Sequence, residues 1–143
     1  MSRSPQEIFQ SHVHAGILTR DADALAENFT EGGVLEAPLL PAGAALPQRM
    51  EGREEIRRAM AAYCERNARD TRAPNAQKSG YVLHTTADPD VFTVETDAVF
   101  DAAGDGDGTG TGTDETISLV QIFRVRDGKI ARLRDYFAPR WGN

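Results

Sequence analysis

The chain is written in two hydrophobic periodicities, and their order constrains its fold more than any single motif. Up to Arg66 the apolar residues recur at helical spacing, and after Gly80 they alternate as in strands. Ser4-Pro5-Gln6-Glu7 is a helix start: Ser4 caps, Pro5 suits the first helical position, and Glu7 returns a bond to the cap. Phe9, Val13, Gly16 and Ile17 then share a face that excludes His12 and His14, so His12 is expected at the surface. Asp21 caps a second, short helix carrying Ala22, Leu25 and Phe29, which Gly32-Gly33 stops ahead of a short strand over Val34 to Ala37. Residues Pro38 to Gln48, rich in proline, alanine and leucine, form an apolar loop over a pocket mouth. The third helix carries an i, i+4, i+7, i+8 stripe of Ile56, Met60, Tyr63 and Cys64.

Strands follow. Tyr81 to Thr86 leads through a turn at Asp88-Pro89-Asp90 into an extended segment from Val91 to Phe100. Asp101 to Asp114 is a low-complexity Gly/Asp/Thr stretch, expected as a mobile hairpin tip. Glu115 to Arg126 and Lys129 to Phe137 flank Asp127-Gly128, a strong two-residue hairpin signal. Helices followed by a run of antiparallel strands mean an α+β fold, with the helices on one face of a bent sheet. A length of 143 residues fits one domain, 1–143.

Charge and cysteine usage narrow the function classes. A net charge of -6 and a pI near 5.0 argue against nucleic acid and against an anionic membrane surface as partners. No apolar run approaches the ~18 residues of a membrane helix, and MSRSPQEIF lacks the apolar core of a signal peptide. Cys64 is the single cysteine, which excludes an internal disulfide and any CxxC site, so a reducing cytoplasm is the plain reading. The run DGDGTGTGTDE lacks the final ligand of a calcium loop, and no HExxH or GxSxG segment occurs.

Two polar residues stand out on apolar faces. On the last strand Ala131, Leu133, Asp135 and Phe137 share one face, opposite Ile130, Arg132, Arg134 and Tyr136. A core-facing aspartate must be paired, solvated by a cavity, or raised in pKa. A structural hydrogen bond to a helix end or an arginine is the plainer alternative. On the preceding strand Gln121 is the one amide among Ile117, Leu119, Phe123 and Val125. Two polar groups on adjacent inward faces, among apolar walls, have the anatomy of a ligand site.

The ordered segments FTEGGVLEAP, MEGREEIRRAM, TADPDVFTVETD and FRVRDGKIARLRDYFAP resemble those of the nuclear transport factor 2-like superfamily. Within it the chain is most similar to SnoaL-type polyketide cyclases, phenazine-biosynthesis A/B proteins and limonene epoxide hydrolase. The resemblance implies a cone: three helices closing against a strongly curved, mainly antiparallel sheet around a pocket, with homodimers through the outer sheet face. It implies a catalytic carboxylate on the final strand, here Asp135, and a second acid at Asp97. Alternation over Val91 to Phe100 would instead turn Phe92, Val94 and Ala98 inward and Asp97 outward; the resemblance is followed here.

The chain also departs from its relatives. The epoxide hydrolases join their two acids through an arginine where this chain has Glu95, and they hold water with residues matching Val34 and Glu36. Ketosteroid isomerases carry their base where this chain has Ala37, and Glu36 beside it remains a candidate carboxylate at the pocket floor. Two carboxylates in one low-dielectric site would split their pKa values, giving a base and a proton donor together. The expectation is a cofactor-independent acid/base enzyme on a small apolar metabolite, with no metal or organic cofactor required. Its chemistry would be cyclisation, isomerisation, dehydration or epoxide opening in natural-product biosynthesis. Asp135, Asp97 and Glu36 would carry the chemistry, and Met60, Tyr63, His84, Leu119, Gln121 and Phe137 would bind substrate. A non-catalytic binding or scaffolding module of the same fold is the rival, distinguished by a cone filled with side chains.

Overall fold

In the computed structural model, residues 3–66, 73–101 and 114–137 are described. The low-complexity stretch between Asp101 and Asp114 therefore falls almost wholly outside the described residues. Helix α1 spans Pro5–Val13, continues as one π-helical turn over His14–Leu18, and is followed by α2 at Ala22–Glu27 and α3 at Arg53–Arg66. The strands are β1 Phe29–Glu36, β2 Arg49–Glu51, β3 Gly80–Thr85, β4 Val91–Phe100, β5 Glu115–Arg126 and β6 Lys129–Phe137.

Local signals fix the element ends. The Ser4 hydroxyl accepts from the Glu7 amide at 3.1 Å, and the Glu7 carboxylate accepts from the Ser4 amide at 2.9 Å, a complete capping box. Ser4→Ala is expected to lower stability by about 1 kcal/mol in urea unfolding, the usual worth of such a cap. Asp21 caps α2 through the Ala24 amide at 3.0 Å. At the β5–β6 hairpin both turn residues take positive φ, Asp127 at 52° and Gly128 at 78°, as a two-residue type I′ turn demands.

The six strands form one sheet in the order β2-β1-β6-β5-β4-β3. Every pairing is antiparallel except β1 with β6. Register lays the inward side chains in rows. Leu35, Leu133, Phe123 and Phe92 make the first row, Asp135, Gln121, Val94 and Leu83 the second, and Phe137, Leu119, Thr96 and Tyr81 the third. Successive rows are two residues, about 7 Å, apart along the strands. The first row is the floor: Leu133 and Phe123 have no exposure, and Phe92 stacks on Phe123 at 4.7 Å between ring centroids. Ile8, Phe9, Leu25, Ala26 and Ile56 from the three helices pack into the same core.

Three expectations need correction. Phe29 belongs to β1, not α2, and Gly32-Gly33 lie inside that strand rather than ahead of it. Long-range partners decide this: Phe29 pairs with Ile130, and its carbonyl accepts from Arg53 at 2.7 and 3.1 Å. Gly33 is needed where β1 closes on β6, since a Cβ there would sit 3.0 Å from the Ile130 carbonyl oxygen. Second, simple alternation fails in β6. The pairing steps from Val125↔Ile130 to Arg124↔Arg132, so Ala131 is a bulge residue and Ile130, not Ala131, is fully buried. Beyond the bulge the expected parity holds from Leu133 to Phe137. Third, His12 is buried, as described below.

Candidate functional site

A cavity of about 570 Å³ lies between the sheet and the helices. Its walls are mostly apolar: Leu35, Ala37, Leu119 and Phe137 from the sheet, Val13 and Ile17 from the first helical segment, Met60 from α3, and Leu46 from the loop before β2. No lysine or arginine occurs among its described lining residues. The polar side chains that matter here are Asp135, Gln121, Thr96 and His12.

Asp135 faces Gln121 directly across β5 and β6. The Gln121 amide donates to Asp135 Oδ2 at 3.4 Å, while Oδ1 is inaccessible and has no hydrogen-bond partner. Leaving such an oxygen unsatisfied costs on the order of 1–3 kcal/mol, more if it is charged. Burial therefore pushes the Asp135 carboxyl up to about 7, against the smaller opposing effect of the Gln121 bond. The residue as a whole keeps intermediate exposure because it borders the cavity.

His12 sits over the floor row, its ring edge-on to Phe123 at 5.8 Å and to Phe29 at 6.2 Å. Its Nδ1 is buried without a partner, and burial pushes the ring down to about 4, so it is neutral at pH 7. Thr96 Oγ1, in the third row, is likewise buried and unpartnered. Both were missed in the sequence. Ile8 and Ala15 carry the overlooked signal for His12: with Phe9 they centre the buried face of the helix on residue 12. Thr96 follows from extending the Phe92, Val94, Ala98 alternation.

Of the expected site residues, Asp135, Gln121, Leu119, Phe137 and Met60 line the cavity, as placed by the residue pattern. Four do not. Asp97 is exposed on the outer sheet face, accepting from the Ser118 hydroxyl at 2.7 Å. The β4–β5 register runs unbroken from Val91 to Phe100, so alternation, not the resemblance, sets its direction. Glu36 also faces outward, bound by Arg132 at 2.6 Å and Arg49 at 3.3 Å, with Arg134 at 3.8 Å. Burial pushes its carboxyl up, but those arginines outweigh it and hold the pKa below the ordinary value. His84 is outside too, its Nε2 2.6 Å from the Glu95 carboxylate. Tyr63 does not line the cavity. The cavity thus holds one carboxylate among its described residues, whose shift comes from burial and not from a second acid. No set of three or more His, Cys, Asp or Glu among the described residues is arranged to hold a metal ion. No described helix is long and apolar enough to cross a membrane.

Comparison with known proteins gives the same architecture. A family model described as a SnoaL-like domain matches residues 10–133. A search of curated proteins finds no match. Among solved structures, a candidate isomerase from Bacillus subtilis is 23% identical, with a TM-score of 0.68 over 94% of this chain and 86% of that one. A Catenulispora acidiphila protein with a ketosteroid isomerase-like fold, solved with trimethylamine, is 20% identical at a TM-score of 0.59 over 95% and 88%. A candidate polyketide cyclase from Pseudomonas putida is 19% identical at a TM-score of 0.58 over 94% and 92%.

Proposed function

The chain belongs to the SnoaL-like family of the nuclear transport factor 2-like superfamily, and from that premise we propose that it is a cofactor-independent cyclase or isomerase using one carboxylate, Asp135. The observation that carries the reading is an aspartate bordering a cavity of about 570 Å³ with mostly apolar walls, its carboxyl held by one long hydrogen bond, from Gln121 at 3.4 Å. A cone packed solid with side chains would favour a scaffold instead, and this cone is hollow. The P. putida and B. subtilis neighbours support the coarse class, cyclase or isomerase.

The chemistry follows from the site. As a carboxylate, Asp135 takes a proton from a carbon next to a substrate carbonyl, and the C–H electron pair becomes an enolate. The proton then returns to a different carbon of a conjugated enolate, moving its double bond, which is isomerisation, or the enolate carbon attacks a second carbonyl of the same molecule, which closes a ring. Asp135, now the acid, returns the proton to carbon or to the new alkoxide. A group whose pKa lies near 7 serves both halves of this cycle at neutral pH. With neither Asp97 nor an arginine among the described residues that line the cavity, epoxide opening by an acid pair has no support.

Deuterium uptake at C1 of 2-tetralone, an enolisable bicyclic ketone, provides an assay. Because the base form is required, kcat/KM should rise with pH through about 7 and then level off. No exchange above the buffer rate, or a profile flat from pH 5 to 9, would contradict the assignment.

The reading extends to a homodimer through the outer sheet face. Val82 and Val120 lie there in one cross-strand row with Glu95 and Tyr136, and they are 56% and 39% exposed. Sedimentation velocity should give a dimer for the native protein and a monomer for Val82→Asp/Val120→Asp; a monomeric native protein would dismiss the dimer.

A further inference from the structure

We propose that His12 is a second binding point in the cavity, holding an uncharged hydroxyl group of the substrate beside the floor row, which adjoins the row of the Asp135–Gln121 pair. The inference rests on the cavity being the substrate site and adds what kind of molecule it accepts. His12 is 9% exposed and lines the cavity; its Nδ1 is closed off and bonded by no protein group, which leaves Nε2, also without a protein partner, as the ring nitrogen that a cavity ligand can meet. A histidine kept only for packing normally donates one ring N–H to a carbonyl or carboxylate. Here the surroundings are hydrocarbon: Phe29 and Phe123 meet the ring edge-on, and the adjoining wall is Val13.

The environment also sets the partner's charge. A carboxylate or phosphate would need a cation, and neither lysine nor arginine lines the cavity among the described residues. Burial holds the imidazole neutral, so it supplies no charge either. A neutral imidazole has one donor and one acceptor nitrogen, and a hydroxyl group can satisfy whichever it meets. A bare carbonyl can satisfy only the N–H. The substrate class is therefore an uncharged compound with a hydroxyl group that sits over the floor row while Asp135, in the next row, acts on a carbon.

The test uses 2-naphthol, naphthalene and 2-naphthoate as probes of the native protein, by calorimetric titration. Native protein should bind 2-naphthol about tenfold tighter than naphthalene, the worth of one hydrogen bond, and 2-naphthoate most weakly. His12→Phe should bind the first two alike, and His12→Gln, which keeps an amide near the Nε2 position, should recover part of the preference. In ¹⁵N spectra of the native protein the His12 ring signals should move with 2-naphthol and not with naphthalene, a readout that stands even if a variant fails to fold. Binding without a hydroxyl preference, a preference surviving in His12→Phe, or unmoved ring signals would overturn the inference while leaving Asp135 chemistry intact. Failure of every probe to bind would remove the substrate-site reading as well.

Discussion

Asp135→Asn is expected to keep its fold and lose turnover of 2-tetralone exchange by about 10³-fold, within the range of a general acid–base group. Its stability should move the other way. The Asp135 pKa is raised on folding, from 3.8 to about 7, so the folded state binds the extra proton. The stability tied to that proton is fully present below about pH 4. It is lost as pH rises toward 7, and above 7 the folded protein carries the whole cost of a buried, half-satisfied carboxylate. By linkage that cost is at most about 4 kcal/mol. Asparagine carries no such charge, so the variant should match the native protein near pH 4 and exceed it in urea unfolding at pH 8. An inactive variant that is less stable at pH 8 would mark Asp135 as a structural residue.

Phe123→Ala should be the most destabilising single change in the floor of the site, costing about 3–5 kcal/mol. Phe123 is fully buried, stacks on Phe92, and meets Phe9 edge-on at 6.1 Å as well as His12. Truncation removes the surface on which two helical side chains and one neighbouring strand rest, and the backbone around a six-stranded sheet cannot collapse to fill the void. Val120→Ala, three residues away on the outer face of the same strand, should cost well under half as much. Comparable losses for the two, measured by guanidinium unfolding, would mean that the floor row is not the organising core.

What the sequence made legible was set by short-range chemistry. Asp127-Gly128, the Ser4 capping box and the alternation over Leu133 to Phe137 each specify geometry within a few residues, and each holds. That parity placed Asp135 and Gln121 together. The misses depended on partners distant in the chain. Phe29 follows Leu25 at helical spacing, yet pairing with Ile130 and the bond from Arg53 draw it into β1. The bulge at Ala131 arises where β6 must match both β1 and β5, and nothing local marks it. Glu36 looked like a pocket acid until register brought Arg132 and Arg134 alongside it. Asp97 is a different lesson: the alternation of Phe92, Val94 and Ala98 pointed outward correctly, and the family resemblance overrode it. His12 was legible in principle, since Ile8, Phe9 and Ala15 surround it on the helical wheel.

Burial beside a mostly apolar hollow is what brings the Asp135 carboxyl to a pKa of about 7. The direct measurement is the pH titration of the Asp135 side-chain carboxyl carbon by ¹³C NMR, assigned by its loss in Asp135→Asn. The account predicts a midpoint near 7, about three units above an ordinary aspartate. A midpoint near 4 would place that carboxylate in water and contradict it.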